Sequence, residues 1–397
     1  MIAAPTTPLR HLRPRGDGIT QPTTNAELFF DLVYVFAVTQ LSHLVLDDLS
    51  LAGLARAGFL LVVVWWAWIY TAWMTNWFDP ASPRVRAVLG GVMLASLLVA
   101  ASLPGAFDQN GLLFAGAYVA LQVGRNVAAT SLLAQDHRLR DVFERLVLWS
   151  VASGVLWLAG AAVDPDQRLL LWIPALAIEL VAPFAGYWQP GRGRARTTDY
   201  DIEGGHFAER CHLFVLIALG ESIVVAGATA AAGGLSFTAT LALVVAFLET
   251  LALWWLYFGT PAERSRKAVA ESDDPGRVAR DAYTYAHLLI VGGIIAMAAG
   301  NELLIAHPSD PQHGVGTAIV LGGPALFLLG VDLFQWRATG RFSVGRLLVA
   351  GLIVALLPLA PHIAVLALAA IVTAILAALA RWELRAAGSS RPIVANP

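Results

Sequence analysis

The groups able to do chemistry in this chain are ionisable side chains set inside long apolar runs. Glu27 and Asp31 come first; four residues apart, they share one helix face about a turn from each other. Glu27, near the end of its run, is readily placed in water, whereas Asp31 lies deeper and needs a partner. Farther along stand Gln122, Arg125 and Asn126, then Glu179, then Arg210, His212 and Glu221, then Glu249, His287, Asn301, Glu302 and Asp332. A charge at the bilayer centre costs roughly 2.5–3.5 kcal/mol on insertion scales, so those that persist face a bundle interior or a water-filled cavity. Arg125 is the one basic residue in the middle of an apolar run, and pairing it with Asp31 would relieve both. Arg210 and Asp332 hold roughly the equivalent places in the second half with the signs exchanged. Two pseudo-equivalent ion pairs with a structural or gating role are therefore expected, Asp31–Arg125 and Arg210–Asp332. Glu221 and Glu249, together with Glu27, are the candidate proton relays or cation sites; the plainer reading of such carboxylates is hydrogen bonding between helices.

Other constellations give less. His43, His212, His287 and His362 are not spaced on any helix to ligate stacked haems, and no His-x-x-x-His is present for a membrane metalloprotease. Ser131, Ser222 and His137 form no recognisable nucleophile motif, and no catalytic residue is assigned. One Cys excludes a disulfide within the chain and any Cys-based zinc or iron–sulfur site. No metal and no cofactor is expected. The aromatic run Trp65, Trp66, Trp68, Tyr70, Trp73, Trp77 and Phe78 reads as an interfacial belt plus core. Gly220/Gly227 and Gly323/Gly330, each seven apart, read as packing stripes.

The elements that must position these groups are membrane helices. Of 397 residues, 57% are hydrophobic and 14% charged, against about 45–50% and about 25% in soluble domains. Mean hydropathy is +0.66. An all-α membrane protein is predicted. A crossing needs about 20 mostly apolar residues, and about twelve candidates lie near 25–45, 54–78, 85–104, 111–134, 142–163, 168–188, 207–232, 236–260, 280–306, 314–338, 344–360 and 362–382. With the loops assigned alternately to two sides, every basic residue except Arg56, Arg168 and Arg125 falls at one side. The positive-inside rule then puts both termini in the cytoplasm. The net charge of −2, distributed this way, gives no basic face for nucleic acid.

The two halves resemble each other in outline, each opening with a carboxylate-bearing helix and carrying a Trp pair in the next, Trp65-Trp66 and Trp254-Trp255. Six spans per half is an even number, so a duplication leaves the halves parallel. The expected organisation is a cytoplasmic tail (1–24), a first six-helix repeat (25–188), a cytoplasmic linker (189–206), a second repeat (207–382) and a cytoplasmic C-terminal tail (383–397).

The run Glu27-Leu28-Phe29-Phe30-Asp31-Leu32-Val33-Tyr34-Val35-Phe36-Ala37-Val38-Thr39-Gln40-Leu41-Ser42-His43 resembles the opening of the bacterial low temperature requirement A family, and Leu213-Phe214-Val215-Leu216-Ile217-Ala218-Leu219-Gly220-Glu221-Ser222-Ile223-Val224 its second signature. That resemblance implies a multi-pass protein of the bacterial inner membrane linked to growth in the cold, and implies no molecular activity. Phe30-Asp31 followed by Ala37 is also similar, more weakly, to the first helix of a potassium-channel family built of six-helix repeats; Phe30 stands where that family has Ser.

The function expected from these readings is a transporter or channel for a small solute or ion, with the bilayer and that solute as partners and self-association into a homo-oligomer compatible with it. The alternatives are a non-transporting stress or scaffold protein docking through loops 189–206 and 261–279, or a membrane-embedded enzyme, for which no reactive motif is found.

Overall fold

A computed structural model describes residues 11–15, 21–134, 137–200, 202–259 and 261–389. The regular structure among these residues is helical, with two isolated bridges, Leu12 with Phe78 and Gln189 with Gly193, and no strand. The helices are α1 (Asn25–Asp47), α2 (Leu51–Trp77), α3 (Pro83–Ser102), α4 (Gly111–Ser131), α5 (Arg138–Ala162), α6 (Arg168–Val181), α7 (Gly204–Gly233), α8 (Phe237–Phe258), α9 (Pro261–Ala270), α10 (Pro275–Val278), α11 (His287–Ala306), α12 (Gly314–Thr339), α13 (Val344–Val354) and α14 (Val365–Ser389). A π-helical stretch, Ala279–Ala286, joins α10 to α11.

Local sequence sets several of the ends. Thr24-x-x-Glu27 is a capping box: the Glu27 carboxylate accepts the Thr24 N–H at 2.9 Å as α1 begins. Ser236 caps α8 through the Ala239 N–H. α12 ends on Gly340 in the left-handed region (φ 73°), where a Cβ would be strained.

Among the described residues ten helical segments are long and apolar enough to cross a membrane. Ten of the twelve expected runs coincide with these. The other two hold shorter helices, α6 with 14 residues and an internal Pro174, and α13 with 11. At 1.5 Å per residue neither helix by itself reaches the ~30 Å of the hydrocarbon core.

The chain divides into two compact units: residues up to Tyr34 with Trp66–Glu209, and Val35–Trp65 with Arg210–Pro397. Helices α1 and α2 thus contribute to both. In the first unit α3, α4, α5 and α6 pack in sequence order. Phe114, Tyr118, Trp157 and Trp172 form its aromatic core. Segment 186–195 is clamped to α5: Arg145, almost wholly buried, donates to the carbonyls of Gly193 (2.7 Å) and Arg192 (2.9 Å). Gly186 (φ 59°) is required there, because a Cβ would lie 2.5 Å from the Ala195 carbonyl oxygen.

In the second unit the closest packing is α11 against α12. A Cβ on Gly323 would stand 2.6 Å from the Met297 nitrogen, and one on Gly330 2.7 Å from the Ile290 nitrogen. That stripe brings two backbones together. The Gly220/Gly227 stripe does not, since nothing lies within 4 Å of a Cβ at either position. Of the aromatic run expected as belt plus core, its first three tryptophans fall in the core. Trp65, Trp66 and Trp68 are buried, with indole N–H groups bonded to the Thr284 carbonyl (2.7 Å) and to Asp31 (2.8 Å) for Trp65 and Trp68 respectively. A buried indole N–H needs such an acceptor; for Trp65 it is a carbonyl of the π-helical stretch.

Candidate functional site

Glu27 is fully buried rather than solvated. Its Oε2 accepts from Arg13 Nη2 at 2.7 Å and from Thr24 Oγ1 at 2.8 Å, and its Oε1 lies 2.9 Å from His206 Nε2. Asn76 fixes the histidine tautomer. Its Nδ2, a donor that also serves the Glu203 carbonyl at 2.8 Å, stands 3.2 Å from His206 Nδ1. Nδ1 therefore accepts, Nε2 carries the proton, and that N–H donates to Glu27. Arg13 is held independently: its Nε donates to the Thr75 carbonyl (2.7 Å) and its backbone N–H to Trp77 O (2.8 Å). The segment 11–15 and the start of α7 thus converge on the first turn of α1. The capping-box spacing marks where α1 starts, but no periodicity in the sequence points to Arg13 or His206 as partners.

Asp31 and Arg125 have separate partners. Asp31 accepts from Trp68. Arg125, buried, donates from Nη2 to Gln122 Oε1 (2.5 Å), and its Nη1 reaches the Ala67 carbonyl and Thr71 Oγ1 at 3.4 and 3.3 Å. The Gln122 amide donates to the Tyr118 hydroxyl (2.9 Å), which donates to Glu179 (2.5 Å). Ser153 (2.8 Å) and Trp157 (2.9 Å) also donate to Glu179. Arg125 and Glu179 are therefore the charged ends of one hydrogen-bonded chain across α4, α5 and α6, in place of the expected direct pair. Spacing along α4 marks Arg125, but it carries no record of the rotation of α6 that aims Glu179 at Tyr118. A cavity of about 20 Å³ beside Gln122, Asn126, Ser150 and Glu179 has room for a single water.

In the second unit Arg210 and Asp332 are both buried, and the expected pair is again corrected. The cation nearest Asp332 is Arg346, with Nη1 at 3.9 Å, and the Ser343 N–H donates to Asp332 at 2.7 Å. The reason is local: Gly340 reverses the chain after α12 and brings the start of α13 back beside Asp332. Arg346 also pairs with Glu383 of α14 (2.7 Å) and donates to Gln335 (2.6 Å), tying three helices together.

Glu221, on α7, is buried and accepts a 2.6 Å bond from Thr39 Oγ1 of α1. Glu249, on α8, is buried with no hydrogen bond or ion pair among the described residues. A further polar pair follows from the π-helical turn. His287 Nδ1 is 3.1 Å from the Ala282 carbonyl, which can only accept, so Nδ1 holds the proton and Nε2 accepts the Tyr257 hydroxyl at 2.6 Å.

No group of three or more His, Cys, Asp or Glu side chains placed to hold a metal ion occurs among the described residues. The carboxylates therefore differ in kind. Glu27 is met by an arginine and a histidine N–H, and Glu179 by three neutral donors; Glu221 has one neutral donor and Glu249 none.

The family model of the bacterial low temperature requirement A protein matches residues 23–381. An uncharacterized protein of Rhizobium meliloti is 37% identical over 358 residues, covering 90% of this chain and 88% of that protein. No solved structure matches the chain significantly. A match over nearly the whole described chain, with a relative of that identity, places this membrane protein in the bacterial low temperature requirement A family.

Proposed function

We propose that this protein moves a small solute or ion across the bacterial inner membrane as a transporter or channel, with Glu221 and Glu249 as proton or cation sites. The observation that carries the reading is the unequal satisfaction of the buried carboxylates. A carboxylate in a membrane helix must have its charge met. Glu179 has three donors and Glu27 is ion-paired, so these two hold helices together. Glu221 has Thr39 alone and Glu249 has no partner among the described residues, which leaves their charge to be met by a proton or a cation that can exchange.

The same proposal takes the chain as twelve crossings in two parallel repeats, 25–188 and 207–382, with both termini cytoplasmic. α6 and α13 are completed as crossings by the apolar turns that follow them. Growth in the cold would then depend on this flux.

Purified protein in liposomes loaded with a pH dye and a potential dye tests the reading while external cations are varied. Flux present in the native protein and lost in monodisperse Glu221→Gln or Glu249→Gln supports it. No flux above empty liposomes for any cation overturns it.

A further inference from the structure

A second feature lies on the outer face of α8 and α14. These helices pack together but leave an open groove of about 590 Å³, walled by Val245, Leu248 and Trp255 on α8 and by Ala374 and Ala377 on α14. The small alanines, three apart on one face, make the recess. Two polar groups interrupt its apolar lining. Thr373 is more than nine-tenths buried (8% exposed), lines the groove, and its hydroxyl has no hydrogen-bond partner among the described residues. Arg381 lies eight residues farther along α14 and lines the same groove. Glu383, the acid nearest it in sequence, is taken by Arg346 at 2.7 Å, and Arg381 has no ion pair with any described residue.

Both α8 and α14 belong to segments that are long and apolar enough to cross the membrane. A groove on such a pair faces acyl chains, and its apolar wall repels water. Arg381 sits near the end of its span, Val365–Ala386, at the depth where long basic side chains reach the headgroups. A guanidinium offers a fork of donors matched to two phosphate oxygens. The rise from Thr373 to Arg381 is about 12 Å. Because Cα–Cβ bonds tilt toward the helix N-terminus, the arginine reaches back and shortens that span. Phosphate at one end, a glycerol over the alanines, an ester carbonyl within reach of a lone hydroxyl, and an acyl chain continuing past it along Ala370 describe one molecule.

We propose that the α8–α14 groove is a binding site for an anionic phospholipid, with its phosphate on Arg381, its glycerol over Ala377 and Ala374, a glycerol ester carbonyl accepting from Thr373, and an acyl chain continuing past Thr373 against Ala370. Native mass spectrometry of the full chain in detergent, titrated with phosphatidylglycerol or phosphatidylcholine, tests this. The native protein should hold one phosphatidylglycerol about fivefold more tightly than phosphatidylcholine, the scale of one basic side chain at an anionic headgroup. Arg381→Gln should erase that preference, while Arg264→Gln, on α9 and away from the groove lining, should keep it. Ala377→Phe fills the recess and should remove the bound lipid; if that variant does not fold, Arg381→Gln still decides. An undiminished preference in Arg381→Gln, or none in the native protein, overturns the proposal.

Discussion

Replacing Glu27 by Gln keeps the side-chain volume and removes one charge, so it isolates what the Arg13–Glu27–His206 cluster contributes. Three donors aim at the carboxylate from side chains: Arg13 Nη2 at 2.7 Å, Thr24 Oγ1 at 2.8 Å and His206 Nε2 at 2.9 Å. A glutamine can turn its oxygen toward Arg13 and Thr24, but its NH₂ then faces the protonated Nε2 of His206, donor against donor. The reverse orientation sets the NH₂ against Arg13. In either case a buried guanidinium loses its counter-charge, and breaking one member of a buried pair costs about 3–5 kcal/mol. Chemical unfolding in detergent, followed by tryptophan fluorescence, should show a loss in that range for Glu27→Gln. Arg13→Gln combined with Glu27→Gln should cost less than the two separately, since neither charge is then stranded. The segment carrying Arg13 and Arg15 is pinned by this pair and by bonds to the Thr75, Trp77 and Asn76 carbonyls. Trypsin should therefore cut after Arg15, which Gly16 follows, faster in the variant than in the native protein. A loss under about 1 kcal/mol with unchanged trypsin protection would refute this account of the cluster.

Four further outcomes are expected. Gly323→Leu or Gly330→Leu drives a side chain into backbone atoms of α11 that lie 2.6–2.7 Å from an ideal Cβ; each should cost at least about 1–3 kcal/mol and show as lost monodispersity on gel filtration. Gly220→Ala and Gly227→Ala meet nothing within 4 Å inside α7 and should leave the elution profile unchanged and the melting point the same or higher. Trp68→Phe removes the 2.8 Å donor to buried Asp31 and should lower unfolding free energy by about 1–3 kcal/mol. Thr39→Val takes away the bond to Glu221 and should change the pH dependence of any flux that Glu221→Gln abolishes, an effect absent if Glu221 only joins helices.

Hydropathy and charge asymmetry sum along the chain, and so membrane class, all-helical fold, and ten of the expected spans follow from local composition alone. Glu27 as a helix-start residue is legible too, through Thr24-x-x-Glu27. The family's two signature runs are likewise read directly from consecutive residues. Lengths are less secure where a short helix is followed by apolar turns: 168–188 and 344–360 read as full spans, yet α6 stops at Val181 and α13 at Val354. Which cation meets which acid is different in kind. Asp332 meets Arg346 because a glycine turn folds α13 back, Arg125 reaches Glu179 through Gln122 and Tyr118, and Glu27 is held by the segment before α1 and by a helix that starts far along the chain. Each outcome depends on how neighbouring helices are rotated about their axes. That rotation is chosen by packing across whole faces, as where Gly323 and Gly330 admit α11, and spacing within one helix carries no record of it.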